Sequence, residues 1–285
     1  MKSVHQIDLG FPALLEFRGP DTVRFLNGQL TQDVRRVAGG TLALPSCVTD
    51  AKGRLQFRIW ITEGVNGGIL VEGPAGSAET LEARLTRYLI ADDVEVCQLT
   101  GKWSLVHFTG PLSEPPPQGV RVRESARFGQ PGTDWWVPAG LDVDFPEEIL
   151  QLEGDALEAF RVEHGVPAWG KDLYEGLLPP EAGLEATDIS YQKGCYIGQE
   201  VISRIKSAGK VNKRLVRLIL DASVPLDFKK LIDEEGRSAG ELTSISPREM
   251  NGKRHALGYV KRGAAEIYVS SPDGARHTAA LRFSA

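Results

Sequence analysis

The sequence predicts an α+β fold that ends in a small all-β region. Three observations predict it. Helical and strand periodicities interleave up to about residue 209. From about residue 210 they give way to short alternating segments separated by turns. The length of 285 residues exceeds the usual single-domain size, so two or three domains are expected.

In chain order, "GPDTVRFLNGQL" reads as a short helix, with Asp21 as N-cap and Val23, Leu26 and Leu30 at helical spacing. "RLQFRIWI" alternates as a strand. Leu55, Phe57, Ile59 and Ile61 share one face, and Arg54, Gln56, Arg58 and Trp60 the other. "GSAETLEARLTRYLI" is an amphipathic helix with Ser77 as cap and Leu81, Leu85, Tyr88 and Leu89 as its apolar stripe. "DVEVCQL" and "WSLVHF" follow as strands, and the proline-rich "GPLSEPPPQG" as a loop or joint.

"GDALEAFRVEHGVP" is the best-defined helix. Asp155 and Glu158 suggest a capping box, Gly165 suits the C′ position and Pro167 ends the element. Beyond residue 210, "VNKRLVRLIL", "GRSAGELTSIS", "HALGYV", "AEIYVS" and "HTAALRF" are strands, with a turn at Asp273-Gly274. A barrel or a sandwich would satisfy them equally.

Composition removes several function classes. A net charge of −5 gives no support to whole-surface binding of nucleic acid or anionic membrane. No stretch approaches the roughly 20 apolar residues of a membrane span, and the N-terminus lacks the apolar run of a signal peptide. A soluble, cytoplasmic protein is expected. Cys47, Cys97 and Cys195 are far apart and form no CxxC, which argues against a disulfide framework or an all-cysteine zinc site. The five histidines lack metal-ligand spacing, and no metal site is expected. No GxSxG, Walker A or GxGxxG motif occurs.

Three groups could carry chemistry. Glu163 follows Ala156, Ala159 and Phe160 on the apolar stripe of its helix. Spacing alone leaves open a helix-end carboxylate reaching solvent and one aimed into a pocket. Cys195, in "SYQKGCYIGQE", sits just before a helix expected from Ile197 or Gly198, with Lys193 two residues away. Helix N-termini and nearby cations lower a thiol pKa, so an activated thiol competes with a small buried hydrophobe. "SRIKSAGKVNKR" carries Arg204, Lys206, Lys210, Lys213 and Arg214 without an acid. It is either a solvated basic face or a site for ligand carboxylates or phosphates.

These residues support a resemblance. "KGCYIGQE" resembles the YgfZ-family signature K-G-C-[FY]-x-G-Q-E at every position. "FRVEHGVPAWGKDL" followed by "PPEAGL" resembles a run shared by that family and the glycine cleavage T-protein, an aminomethyltransferase. "GPDTVRFLNGQLTQDV", "DAKGRL" and "RYLIADDVEV" also fit, so the likeness covers nearly the whole chain, more loosely after residue 215.

The resemblance implies two intertwined ferredoxin-like-type α+β subdomains and a C-terminal β-barrel around a channel for tetrahydrofolate or a derivative. The corresponding boundaries are 1–209 for the core, with an inner subdomain at roughly 41–140, and 210–285 for the barrel. It assigns Glu163 to the pterin ring, whose N–H and amino group one carboxylate can accept. It also places Arg161, Lys193, Gly194, Tyr196, Gln199 and Arg204 around the folate, and Cys195 beside it as a reactive thiol. A lone cysteine cannot hold a four-cysteine cluster, so any cluster contact needs further ligands.

One departure bears on activity. The T-protein carries G-G-[IV]-x-D-D-L-I-V, with a carboxylate serving aminomethyl transfer. Aligned on Gly53, this chain places Phe57 and Arg58 at the two Asp positions. Neither side chain acts as a carboxylate does. The resemblance therefore implies a folate-binding protein of iron–sulfur cluster assembly or repair, with folate, polyglutamylated or not, and iron–sulfur proteins or their assembly machinery as partners. The rival readings are an aminomethyltransferase and a folate-binding module for tRNA modification; nucleic acid is not expected as a partner.

Overall fold

The computed structural model describes residues 3–64, 67–112, 114–145, 149–264, 266–270 and 276–282. The expected turn at Asp273-Gly274 lies outside them. The chain packs as two compact units, one formed by residues up to Leu152 together with Leu184–Ser203, the other by Glu153–Gly183 and Arg204 onward.

The first unit runs β1 (His5–Gly10), β2 (Ala13–Arg18), α1 (Thr22–Gln29), β3 (Ala43–Thr49), β4 (Leu55–Glu63), β5 (Ile69–Gly73), α2 (Ala78–Thr86), β6 (Glu95–Gln98), β7 (Trp103–Phe108), β8 (Arg121–Ser125), β9 (Gly132–Pro138) and β10 (Leu150–Gln151). Two five-stranded sheets result, in orders β3-β4-β5-β2-β6 and β10-β1-β7-β9-β8. Leu55, Ile59 and Ile61 of β4 are fully buried, as their alternation predicts. The main core joins Leu15, Phe17, Val48, Ile59, Ile61, Ile69 and Val71 of the first sheet to Phe25 and Leu26 of α1 and Leu81 and Leu85 of α2. On its other face Leu14 and Leu70 meet Leu105 and Trp136 of the second sheet. Asp21 and Ser77 flank α1 and α2 without capping them; the Ser77 hydroxyl donates to the Pro74 carbonyl instead.

A buried polar chain accompanies that second contact. Arg127 donates to both Glu72 carboxylate oxygens, and its Nε donates to Asp134 at 2.8 Å. Asp134 also accepts from Ser125 Oγ at 2.7 Å and meets His107 Nδ1 at 2.8 Å. The Arg127 guanidinium lies over the Trp60 ring, 4.3 Å from its centre. Burial opposes the Asp134 charge, but Arg127, His107 and Ser125 outweigh it and hold the carboxyl below its usual range.

The second unit holds α3 (Gly154–Glu163) and β11 (Lys213–Asp221), β12 (Lys230–Ile232), β13 (Ser238–Ile245), β14 (Lys253–Lys261), β15 (Tyr268–Ser270) and β16 (Arg276–Arg282). The strands close into a barrel, β11-β14-β13-β12-β15-β16, which settles the choice between barrel and sandwich. Leu218, Leu220, Leu231, Leu242, Ala256 and Val269 fill it. α3 ends as expected. Gly165 at φ 74° donates to Val162, and Val166 to Arg161, a Schellman closure. Its start differs from the sequence reading. Glu153 is the N-cap, and Glu158 turns to Arg161 and Lys171 instead of closing a capping box. The remaining helix, α4 (Gln199–Ala208), runs across the division. Among the described residues no helix is long and apolar enough to cross a membrane.

Removing a partner from a buried ion network strands the remaining charge. Asp134→Ala is expected to cost about 3–5 kcal/mol in guanidinium unfolding; a loss under about 1 kcal/mol would show that the network carries little stability.

Candidate functional site

The signature run begins with a buried lysine. Lys193 is 8% exposed, and its ammonium donates to the carbonyls of Asn27, Leu30 and Gln32 at 2.8, 2.7 and 2.8 Å. These carbonyls lie at and just beyond the end of α1, where helix geometry leaves them without intrahelical donors. Burial pushes the Lys193 pKa down to about 8, with Asp33 opposing. A neutral amine has only two hydrogens for three carbonyls, so the contacts belong to the ammonium.

Five residues further on the chain turns at Gly198, φ 88°. A Cβ there would stand 2.6 Å from the Asp50 carbonyl oxygen and 2.8 Å from the Gly53 Cα. Only glycine lets the run pass this close to the β3–β4 turn. Gly194 is not under that constraint; an added Cβ would meet nothing within 4 Å.

Between these points Tyr196 is buried and Cys195 exposed. Tyr196, Ile197, Gly198, Gln199 and Glu200 line a cleft of about 490 Å³ with Gln29, Ala51 and Tyr88. The Tyr196 hydroxyl is buried without a hydrogen-bond partner among the described residues. Such a group is costly unless satisfied.

The two expected T-protein carboxylate positions differ in kind. Arg58 forms a two-point pair with Asp188, Nε to Oδ2 at 2.7 Å and Nη2 to Oδ1 at 3.2 Å. Asp188 is fully buried; it also accepts from Thr187 Oγ1 at 2.6 Å, and its carbonyl accepts from Thr31 Oγ1 at 2.7 Å. Burial disfavours the Arg58 charge, yet Asp188 more than compensates and raises its pKa. Asp188 lies in "AGLEATD", where no local pattern marks it as a partner for Arg58. The signal available was Arg58 itself, a cation on an inner strand that needs a partner.

In the second unit Glu163, the last residue of α3, keeps 16% of its side chain exposed. Its ion pair with the half-exposed Arg248 is long, 3.6 Å. Most of its acceptor capacity is therefore uncommitted among the described residues. Arg161 is committed. It donates to Glu158 at 2.8 and 2.5 Å, to Asp172 at 2.7 Å, to Ser244 Oγ at 2.7 Å and to the Val166 carbonyl at 3.2 Å. Arg204, Lys206 and Lys210 are exposed.

Of the expected site residues, the cleft gathers Tyr196 and Gln199. Arg161 and Lys193 serve neighbouring protein groups, because both cations are buried among better-placed acceptors. The lysine thus offers Cys195 no free ammonium, and α4 starts four residues beyond the thiol. Among the described residues no group of three His, Cys, Asp or Glu side chains could hold a metal ion.

Comparison with known proteins agrees with this frame. The aminomethyltransferase T of the Bartonella henselae glycine cleavage system superposes with a TM-score of 0.80, at 18% identity, over 99% of this chain and 85% of that one. The chain has the glycine cleavage T-protein fold. The "tRNA-modifying protein YgfZ" of Aliivibrio fischeri strain MJ11 is 28% identical over 252 residues, 81% of this chain and 77% of that protein. The mitochondrial "iron-sulfur cluster assembly factor IBA57 homolog" of Cryptococcus neoformans is 23% identical over 277 residues, 85% of this chain and 71% of that protein. The resemblance to YgfZ therefore extends beyond the signature to most of the length. No family model matches.

Accessibility orders the three thiols. Cys47 is fully buried, and burial, with Asp188 next, pushes its pKa well up; Cys97 is half-buried and Cys195 exposed. Alkylation at neutral pH, mapped by mass spectrometry, should label Cys195 first, Cys97 next and Cys47 only on unfolding. Early labelling of Cys47 would contradict the packing of β3.

Proposed function

We propose that this chain binds a reduced folate and assists assembly or repair of iron–sulfur clusters, without aminomethyl transfer. The Arg58–Asp188 pair carries the reading. Where the resemblance to the T-protein calls for a carboxylate, this strand offers an arginine whose charge is satisfied by a buried aspartate. A neutralised pair has no free base for a proton and no free anion for a developing cation. The T-protein fold and the YgfZ and IBA57 relatives supply the rest of the support.

In this reading Glu163 receives the N–H and amino group of the pterin. The exposed Arg204 and Lys206, in the same unit as Glu163, suit carboxylates of a glutamate tail. Cys195 is presented outward, where a partner protein or its cluster can reach it. Bound tetrahydrofolate would supply a one-carbon carrier; the protein residues hold and orient it.

Two experiments test the proposal. In cells lacking the protein, activities of cluster-dependent enzymes should fall and be restored by the wild-type gene. Cys195→Ala should restore them poorly if the thiol meets the partner. Loss of glycine cleavage with unchanged cluster enzymes would instead favour the aminomethyltransferase. In vitro, Glu163→Gln replaces a carboxylate by an amide and leaves a donor facing pterin donors. Its affinity for tetrahydrofolate should fall roughly ten- to a hundredfold, about 1.5–3 kcal/mol; equal affinities would remove Glu163 from the site.

A further inference from the structure

We propose that the second unit carries a separate binding site for a small multivalent anion, a phosphate or carboxylate compound, in the cleft between the Gly170–Tyr174 turn and strands β11, β13 and β14. The cleft has a volume of about 520 Å³, within the usual range for small-molecule sites. Lys213, Lys229 and Lys261 line it, with Glu241 as a carboxylate on the same wall.

The partners of Lys213 and Lys261 are neutral. Lys213 Nζ donates to the Tyr174 hydroxyl at 2.5 Å and lies over the Tyr259 ring, 4.5 Å from its centre. Lys261 Nζ donates to the Ser238 carbonyl at 3.0 Å and meets its hydroxyl at 3.2 Å. None of the three forms an ion pair with a described residue, whereas Lys171 on the same rim is paired with Glu158 at 3.1 Å. In the same unit Arg161 is matched to Glu158 and Asp172, and Arg237 to Asp233 and Glu235.

Geometry favours an anion over a solvated basic face. β11 and β14 are paired neighbours, with Lys213 opposite Lys261 in register. Like charges directly opposite are destabilising, and an anion between them would relieve that repulsion. The phenol of Tyr174 and the ring of Tyr259 hold Lys213 in place. That fixes the cation beforehand and lowers the ordering cost of binding. Tyr174 is 41% exposed, so part of its side chain is accessible to a ligand in the cleft.

The test uses the full chain and two probes, inorganic tripolyphosphate and citrate, titrated calorimetrically at 150 mM salt. At least one should bind saturably with one site per chain, and which one binds identifies the source as phosphate or carboxylate. Lys213→Met and Lys229→Gln should each weaken that binding, the first by tenfold or more. Glu241→Gln should tighten it several-fold by removing the opposing charge, an outcome that a folding defect would not produce. Glu163→Gln should leave it unchanged. Absence of saturable binding by both probes would overturn the proposal, as would wild-type affinity in the Lys213 and Lys229 variants. Tight binding of tRNA with neither small anion bound would also overturn it, by assigning the cleft to a polyanion.

Discussion

The signature segment depends on one buried ammonium. Lys193 serves three carbonyls that the end of α1 leaves open. Each charge-assisted bond contributes more than a neutral one, and an unsatisfied buried carbonyl would cost about 1–3 kcal/mol. The bond set fixes where the following residues go. Tyr196 turns inward, Gly198 passes against the β3–β4 turn, and Thr49 Oγ1 secures the Ile197 carbonyl at 2.6 Å. Cys195 lies between these anchors and is left on the surface.

The Arg58–Asp188 pair builds on the same framework. Thr31 bonds the Asp188 carbonyl, and Gln32 bonds the Thr187 carbonyl at 2.8 Å. Residues just past α1 thus hold both Lys193 and the loop that delivers Asp188. A buried pair of this kind is not evidence of extra stability, since an apolar replacement can do as well. Its meaning is chemical. At this position of β4 the chain presents a cation satisfied by Asp188, while Glu163 has only the long contact to Arg248 among the described residues.

Local periodicity made the helices, the alternation of β4 and the barrel strands legible in the sequence, because those patterns are set by burial on one face. The Gly165 closure of α3 was legible for the same local reason. Long-range pairing was not. Nothing near "AGLEATD" reveals that Asp188 meets Arg58, 130 residues away. Likewise the positive charges of Lys193 and Arg161 suggested ligand contacts, since sequence shows a cation but not the carbonyls and carboxylates that occupy it. The lysine cleft escaped notice because Lys213, Lys229 and Lys261 are brought together only by barrel closure.

The proposed folate-binding frame has Glu163 as its pterin acceptor. The most direct measurement is a crystal structure of the protein with tetrahydrofolate. The pterin N–H and amino group should lie within about 3 Å of the Glu163 carboxylate, with Arg58 still paired to Asp188. A pterin bound away from Glu163, or an Arg58 released from Asp188 to meet the one-carbon end of the ligand, would contradict it.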